Sequence, residues 1–447
     1  MAIFLFIVIA LLILGFSGTV LFLSSFLNSE YIVKIIEENF NCRAQVGNAR
    51  LKLFKLFSSA LVEDIHIVTR DEYANKAVPL SLRPEILVPE IYIKKVELRL
   101  NLLAILRKKF RVNSFLFSEP LFNMIFFIGG GNNLLPMLQK PEIIDSKPNP
   151  DYRDIQDLQE DEWVLNIKNM PLSAKLEIIG IQDGLANLYI KKTGQLLRLN
   201  DMQFIISSIE IHPARLDKFN SLDISFEMNL AIIGNNKREI AEFYMSCKQT
   251  IKPFLMNGEY DTGIVYNIKI AKGSYIYGTV LSNLLSAIVN ALRGAGINLE
   301  SATIESLQRN ARMHITYRAE IITLREKVHL FATSFDFELN PGSWYSIDNN
   351  DHYFNGSIII YRKEVSRIIT GIDDFIRGVV PDIETKKVRN RILGPLLKNE
   401  KMFIPFTSKG NIKNPFVELG LELPSIPRIL KDYVKETFGI KRKKKNL

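Results

Sequence analysis

The chain has 447 residues, 47% of them apolar and 23% charged, with a formal charge of +9. That length allows two or three domains and a large core, and the composition excludes a disordered or collagen-like chain. Two cysteines, Cys42 and Cys247, exclude a disulfide scaffold and a multi-cysteine zinc site; they form one bridge at most, and the sequence does not decide whether they do.

Residues 1–29 carry no charged side chain; the first is Glu30. From Ile3 to Leu27 the chain is almost wholly Ile, Leu, Phe, Val, Ala and Gly. About 20 such residues cross a bilayer as a helix. A cleaved signal peptide is the rival reading, but the apolar run exceeds the usual core of such a peptide and no Lys or Arg precedes it. The expectation is a retained, single-pass anchor. No second uncharged stretch of that length follows, so the body lies on the far side of the membrane.

A short helix is expected over residues 31–40. The period then changes from 3.6 to 2. Val96, Leu98 and Leu100 alternate with Glu97 and Arg99. Ile224, Phe226, Met228 and Leu230 alternate with Ser225, Glu227 and Asn229. Phe335, Phe337 and Leu339 alternate with Asp336 and Glu338. Such alternation puts the apolar side chains on one face of a sheet, and strands of this kind are expected from Ala44 to about Leu339. The fold class is therefore mainly β with a few amphipathic helices. Helical stripes are expected at residues 281–293, 365–379 and 385–400, as a lid or plug on a sheet, with contact to a lipid surface as the alternative.

The polar, proline-bearing stretch 139–162 reads as a linker or exposed loop. The expected organisation is an anchor at 1–29, a β region at 30–138, this loop, a distal β region at 163–423 with helices near 281–312 and 365–400, and a C-terminal segment at 424–447. That last segment joins an apolar stripe (Ile426, Ile429, Leu430, Tyr433, Val434, Phe438) to a basic run, Lys441, Arg442, Lys443, Lys444 and Lys445. An amphipathic helix with a polybasic end suits an anionic membrane surface; a solvated tail is the plain alternative. Nucleic acid is disfavoured, because aromatics are not interleaved with the basic residues.

Catalytic signals are absent. His66, His212, His314, His329 and His352 make no ligand spacing and read as structural or solvated. Asp373 and Asp374 are adjacent on an expected helix and so do not face each other. Gly129, Gly130 and Gly131 read as a tight turn, since no Lys-Ser/Thr follows them. No nucleophile elbow, cofactor loop or metal motif occurs, and the expectation is a non-enzyme with no cofactor and no metal.

Four segments together resemble the start of AsmA-like proteins: N-C-R-A-Q-V-G-N-A-R-L-K-L-F from Asn41, V-E-L-R-L-N-L-L-A-I-L from Val96, R-V-N-S-F-L-F-S-E-P-L-F from Arg111, and G-G-G-N-N-L-L-P-M-L from Gly129. I-I-G-I-Q-D-G-L-A-N-L from Ile178 and G-N-I-K-N-P-F-V-E-L from Gly410 are similar to later family segments. The resemblance implies an inner-membrane anchor with the body in the periplasm, and an elongated antiparallel sheet curled into an apolar groove. Longer relatives are thought to conduct phospholipid between the two membranes. About 15 strands at 4.8 Å give a sheet on the order of 70 Å, short for a solitary bridge.

Alternation alone leaves two readings open: a filled β-sandwich, or a wall for acyl chains. The resemblance favours the wall. Its candidate residues are Val96, Leu98, Leu100, Ile224, Phe226, Met228, Leu230, Phe335, Phe337 and Leu339, and the implied partners are phospholipid or another acyl lipid, the inner membrane and other envelope proteins. The functional expectation is lipid binding or transfer in support of the outer membrane. The rival is an anchored assembly scaffold without lipid.

Overall fold

The computed structural model describes residues 28–54, 57–76, 78–101, 111–128, 131–139, 141, 175–259, 261–278, 303–318, 321–347, 349, 351–379, 384–399, 401–411, 415–419, 431 and 435. The protein is mainly β, and its contacts divide it into two compact units, 1–266 and 267–447.

Unit 1 opens with helix α1 (Ser29–Asn39), capped by the Asn28 side chain, which accepts from the Glu30 amide. One face of α1 buries Val33, Ile35 and Ile36 and packs on the first strand. Eight long strands follow: β1 (Cys42–Phe54), β2 (Phe57–Thr69), β3 (Ile91–Asn101), β4 (Arg111–Phe126), β5 (Lys175–Ile190), β6 (Gln195–Ile211), β7 (Asn220–Ile233) and β8 (Glu239–Ile251). A four-residue helix, α2 (Glu72–Asn75), sits between β2 and β3. Each strand pairs with the next in sequence, and β1 does not pair with β8, so this ladder is open.

Two features depart from the expected simple antiparallel sheet. First, β4 and β5 are parallel, from Arg111↔Lys175 to Phe126↔Ile190. Parallel neighbours need a long crossover, and residues 127–174 supply it. The polar stretch 139–162 thus lies within a connection between adjacent strands of one sheet.

Second, a seam of left-handed residues crosses the middle of the sheet. Asp64, Glu119, Asp183 and Asp201 have φ of 55°, 49°, 54° and 51°; the pairing is interrupted at each, and the register shifts as at a bulge at Asp183 and Asp201. Left-handed backbone costs an L-residue about 1–2 kcal/mol. Each carboxylate accepts a hydrogen bond from a neighbouring strand: Asp64 from Tyr92 (3.1 Å), Glu119 from Lys94 (2.6 Å), Asp183 from Gln203 (2.6 Å) and Asp201 from Asn229 (3.0 Å). These bonds are solvent-exposed, so each contributes little to stability. Bulges bend and twist the strands that carry them.

β9 (Val265–Ile270) spans the division between units. Unit 2 holds short strands: β10 (Tyr275–Tyr277), β11 (Ile304–Ser306), β12 (Ala311–Arg318), β13 (Ile321–Leu324), β14 (Val328–Phe331), β15 (Phe335–Leu339), β16 (Trp344–Ser346), β17 (Asp351–Ile360), β18 (Leu397–Lys398), β19 (Lys401–Asn411) and β20 (Phe416–Leu419). Its central ladder is β14–β15–β17–β19–β20, all antiparallel. Helix α3 (Arg362–Val379) lies against β19 and against α4 (Thr385–Leu393). Val365, Ile376, Val388 and Leu393 are buried there with Ile358, Met402 and Ile404. The helix expected over 385–400 ends at Leu393, because Gly394 and Pro395 open a 3-10 turn that leads into β18. Strands also continue to Leu419, well past Leu339. The helix expected at 281–293 lies outside the described residues.

Candidate functional site

The apolar face of unit 1 is built by register. Val62, Val96, Phe117, Ile181, Phe204, Phe226 and Cys247 form one row across seven strands, each directly opposite the next. Their exposures run from 1% to 9%. A second row runs Ala60, Leu98, Phe115, Ile179, Ile206 and Ile224, all buried. On the far side of the seam, Ile67, Ile91, Phe122, Ala186, Leu199, Leu230 and Phe243 make a third. Paired residues share a face, so these rows form one continuous aliphatic and aromatic surface.

The alternate positions beside the first row are Glu97, Leu116, Gly180, Ile205, Ser225 and Lys248, a mixed face on which Ile205 is 37% exposed. Among the described residues of unit 1 the strands form one ladder, with no second sheet opposite. The first two apolar rows are buried although the sheet is single and not closed. A cavity of about 380 Å³ lies elsewhere, at the β6–β7 turn, lined by Pro213, Ala214, Leu216, Asp217 and Met256.

The residues expected from sequence fall into place unevenly. Val96 and Phe226 share the first row, Leu98 and Ile224 the second, and Leu230 belongs to the third. Met228 lies on the same strand, opposite Met245, and is buried. The side chain of Leu100 lies outside the described residues, as do Lys441, Arg442, Lys443, Lys444, Lys445 and the apolar stretch 1–27. No helix among the described residues is long and apolar enough to cross a membrane.

Phe335, Phe337 and Leu339 belong to β15 in unit 2, where Phe335 faces Ile360 and Phe337 faces Ile358. Asp336, which alternates with these apolar residues, is itself fully buried. It accepts hydrogen bonds from the Tyr361 hydroxyl and from His329 Nε2 (3.1 Å). Burial, then the bond to Asp336, push the Tyr361 hydroxyl well above its ordinary range. The His329 ring stacks on Phe331 with centroids 3.9 Å apart, and its Nδ1 faces Glu338 at 3.5 Å. Both ring nitrogens of His329 are thus directed at carboxylates of β15, which ties β14 to β15.

Asp373 pairs with Arg389 at 2.6 Å and Asp374 with Arg377 at 3.7 Å, so the adjacent carboxylates diverge. Cys42 and Cys247 are both free and buried. Burial, with Glu37 nearby, pushes the Cys42 thiol up to about 12, which leaves no thiolate for chemistry. Among the described residues, no His, Cys, Asp and Glu group could hold a metal ion.

Sequence reading missed Glu37 and Arg83. They form a buried ion pair at 2.5 Å, with side chains 10% and 9% exposed. Glu37 Oε1 also accepts from the Ala44 amide, tying α1 to β1 and to the β2–β3 connection. Forty-six residues separate the partners, and no local pattern links them. No family model matches the chain, and neither does any curated protein or solved structure.

Proposed function

We propose that this chain is a membrane-tethered lipid-binding protein of the cell envelope, related to the AsmA-like proteins, with its body in the periplasm. The apolar N-terminal stretch holds it in the inner membrane. The apolar face of unit 1 holds or passes phospholipid acyl chains in support of the outer membrane, without catalysis.

One observation carries this reading: hydrocarbon rows run in register across seven strands of a single sheet whose opposite face is mixed, with Glu97, Ser225 and Lys248 among Leu116 and Ile205. Acyl chains make no directional bonds, so their site needs a long, donor-free wall. Each methylene removed from water is worth about 0.8 kcal/mol. A chain bound this way is held firmly yet slides from one row to the next. Eight strands at 4.8 Å span only about 34 Å, which suits a carrier or a partial conduit rather than a bridge.

A second reading, an anchored assembly scaffold with a filled core, is favoured by the depth of burial along the rows. Fluorescent phospholipid titrated into the delipidated full-length protein separates the two. Saturable uptake near one lipid per chain is expected of a carrier; no uptake assigns the face to a core.

A further inference from the structure

Strand register places the β2–β3 connection, the end of β4 and the β5–β6 and β7–β8 turns at one end of the unit 1 sheet, since Ile67 faces Ile91, Phe126 faces Ile190 and Leu196 faces Ile233. This end is unusually oily. Leu82 is 71% exposed, Leu87 81%, Val88 82% and Ile128 71%. Scattered exposed apolar residues are ordinary; a concentrated group at one end is not.

The β2–β3 connection is braced from below. Arg83 pairs with Glu37, the Ile86 amide donates to Gln45 Oε1 at 3.0 Å, and Ile86 is buried. Its aliphatic side chains are therefore held outward in advance of any partner, which lowers the ordering cost of binding. Cations stand beside them. Lys191 Nζ lies 4.8 Å from the Phe127 ring centroid, and Lys191, Lys192, Lys237 and Arg238 are exposed. Glu85 and Glu239 are the exposed carboxylates nearby, while Glu72 is tied to Lys76. Exposed apolar side chains with lysine and arginine on the turns at the same end of the sheet match the boundary between acyl chains and anionic headgroups. Glu37, which fastens this connection, belongs to the helix that directly follows the apolar stretch 1–27.

We propose that this end of the sheet, through Leu82, Leu87, Val88, Phe127 and Ile128, rests on the surface of an anionic phospholipid bilayer. The proposal rests on the membrane tether but not on lipid carriage. The test uses the full chain in vesicles of phosphatidylethanolamine and phosphatidylglycerol. Val88→Cys carries an environment-sensitive fluorophore, and Met256→Cys, at the opposite strand end and 64% exposed, is the control. The native cysteines are buried and do not label. A blue-shifted label at Val88, quenched several-fold more by doxyl-lipid than the control, is expected. Equal, water-like emission at both sites overturns the proposal. A blue shift without quenching overturns it too, because protein then covers the patch. Failure to float with the vesicles removes the tether and the docking together, whereas loss of lipid uptake alone leaves docking intact.

Discussion

Phe204 and Phe226 stand directly opposite each other on β6 and β7, and neither is more than 5% exposed. They are an aromatic pair in the first apolar row. Phe226→Asp places a carboxylate among hydrocarbon. Retained phospholipid is expected to fall at least tenfold while the strand signal in circular dichroism persists. Loss of the cooperative melt would show that the row is a sealed core.

The Glu37–Arg83 pair has a different signature. Removing one partner of a buried ion pair strands the other and costs about 3–5 kcal/mol. Arg83→Ala is expected to lower stability by that order in denaturant titration. The double variant Glu37→Gln/Arg83→Met is expected to recover part of it.

Gly356 on β17 sits against the backbone of β15, opposite Leu339. A Cβ there would run into the Glu338 carbonyl oxygen. Gly356→Ala forces the strands apart and is expected to cost about 1–3 kcal/mol, read as a lowered midpoint of unit 2 unfolding.

His352 is buried on β17, with Nε2 2.7 Å from Ser408 Oγ. Burial holds its pKa below the ordinary value of 6.5. The unfolded chain therefore takes up this proton before the folded one does. Stability is unaffected by His352 above pH 6.5 and declines as the pH falls below it, until the folded-state value is passed. His352→Gln is expected to flatten that part of the stability–pH curve.

Much of the β architecture was legible, because Val96, Leu98, Ile224 and Phe226 alternate with polar residues and a sheet with one covered face demands that period. The helix over 365–379 was legible for the same reason at a period of 3.6. The seam of left-handed residues was not: Asp64, Glu119, Asp183 and Asp201 look like ordinary solvated carboxylates until their backbone angles are seen. The parallel pairing of β4 and β5 was also hidden, since register between strands is set by tertiary contacts across a long crossover. The burial of Asp336 was hidden as well, because alternation reports one buried face and is silent on whether Tyr361 and His329 cover the other.

The central claim is that the apolar rows of unit 1 contact something other than the protein itself. Its most direct test is photo-crosslinking in intact cells with p-benzoylphenylalanine in place of Phe226, and in place of Lys248 on the opposite face as control. The account predicts phospholipid adducts at position 226 and none at 248, by mass spectrometry of the purified protein. Crosslinks at 226 that run only to other residues of this chain would contradict it.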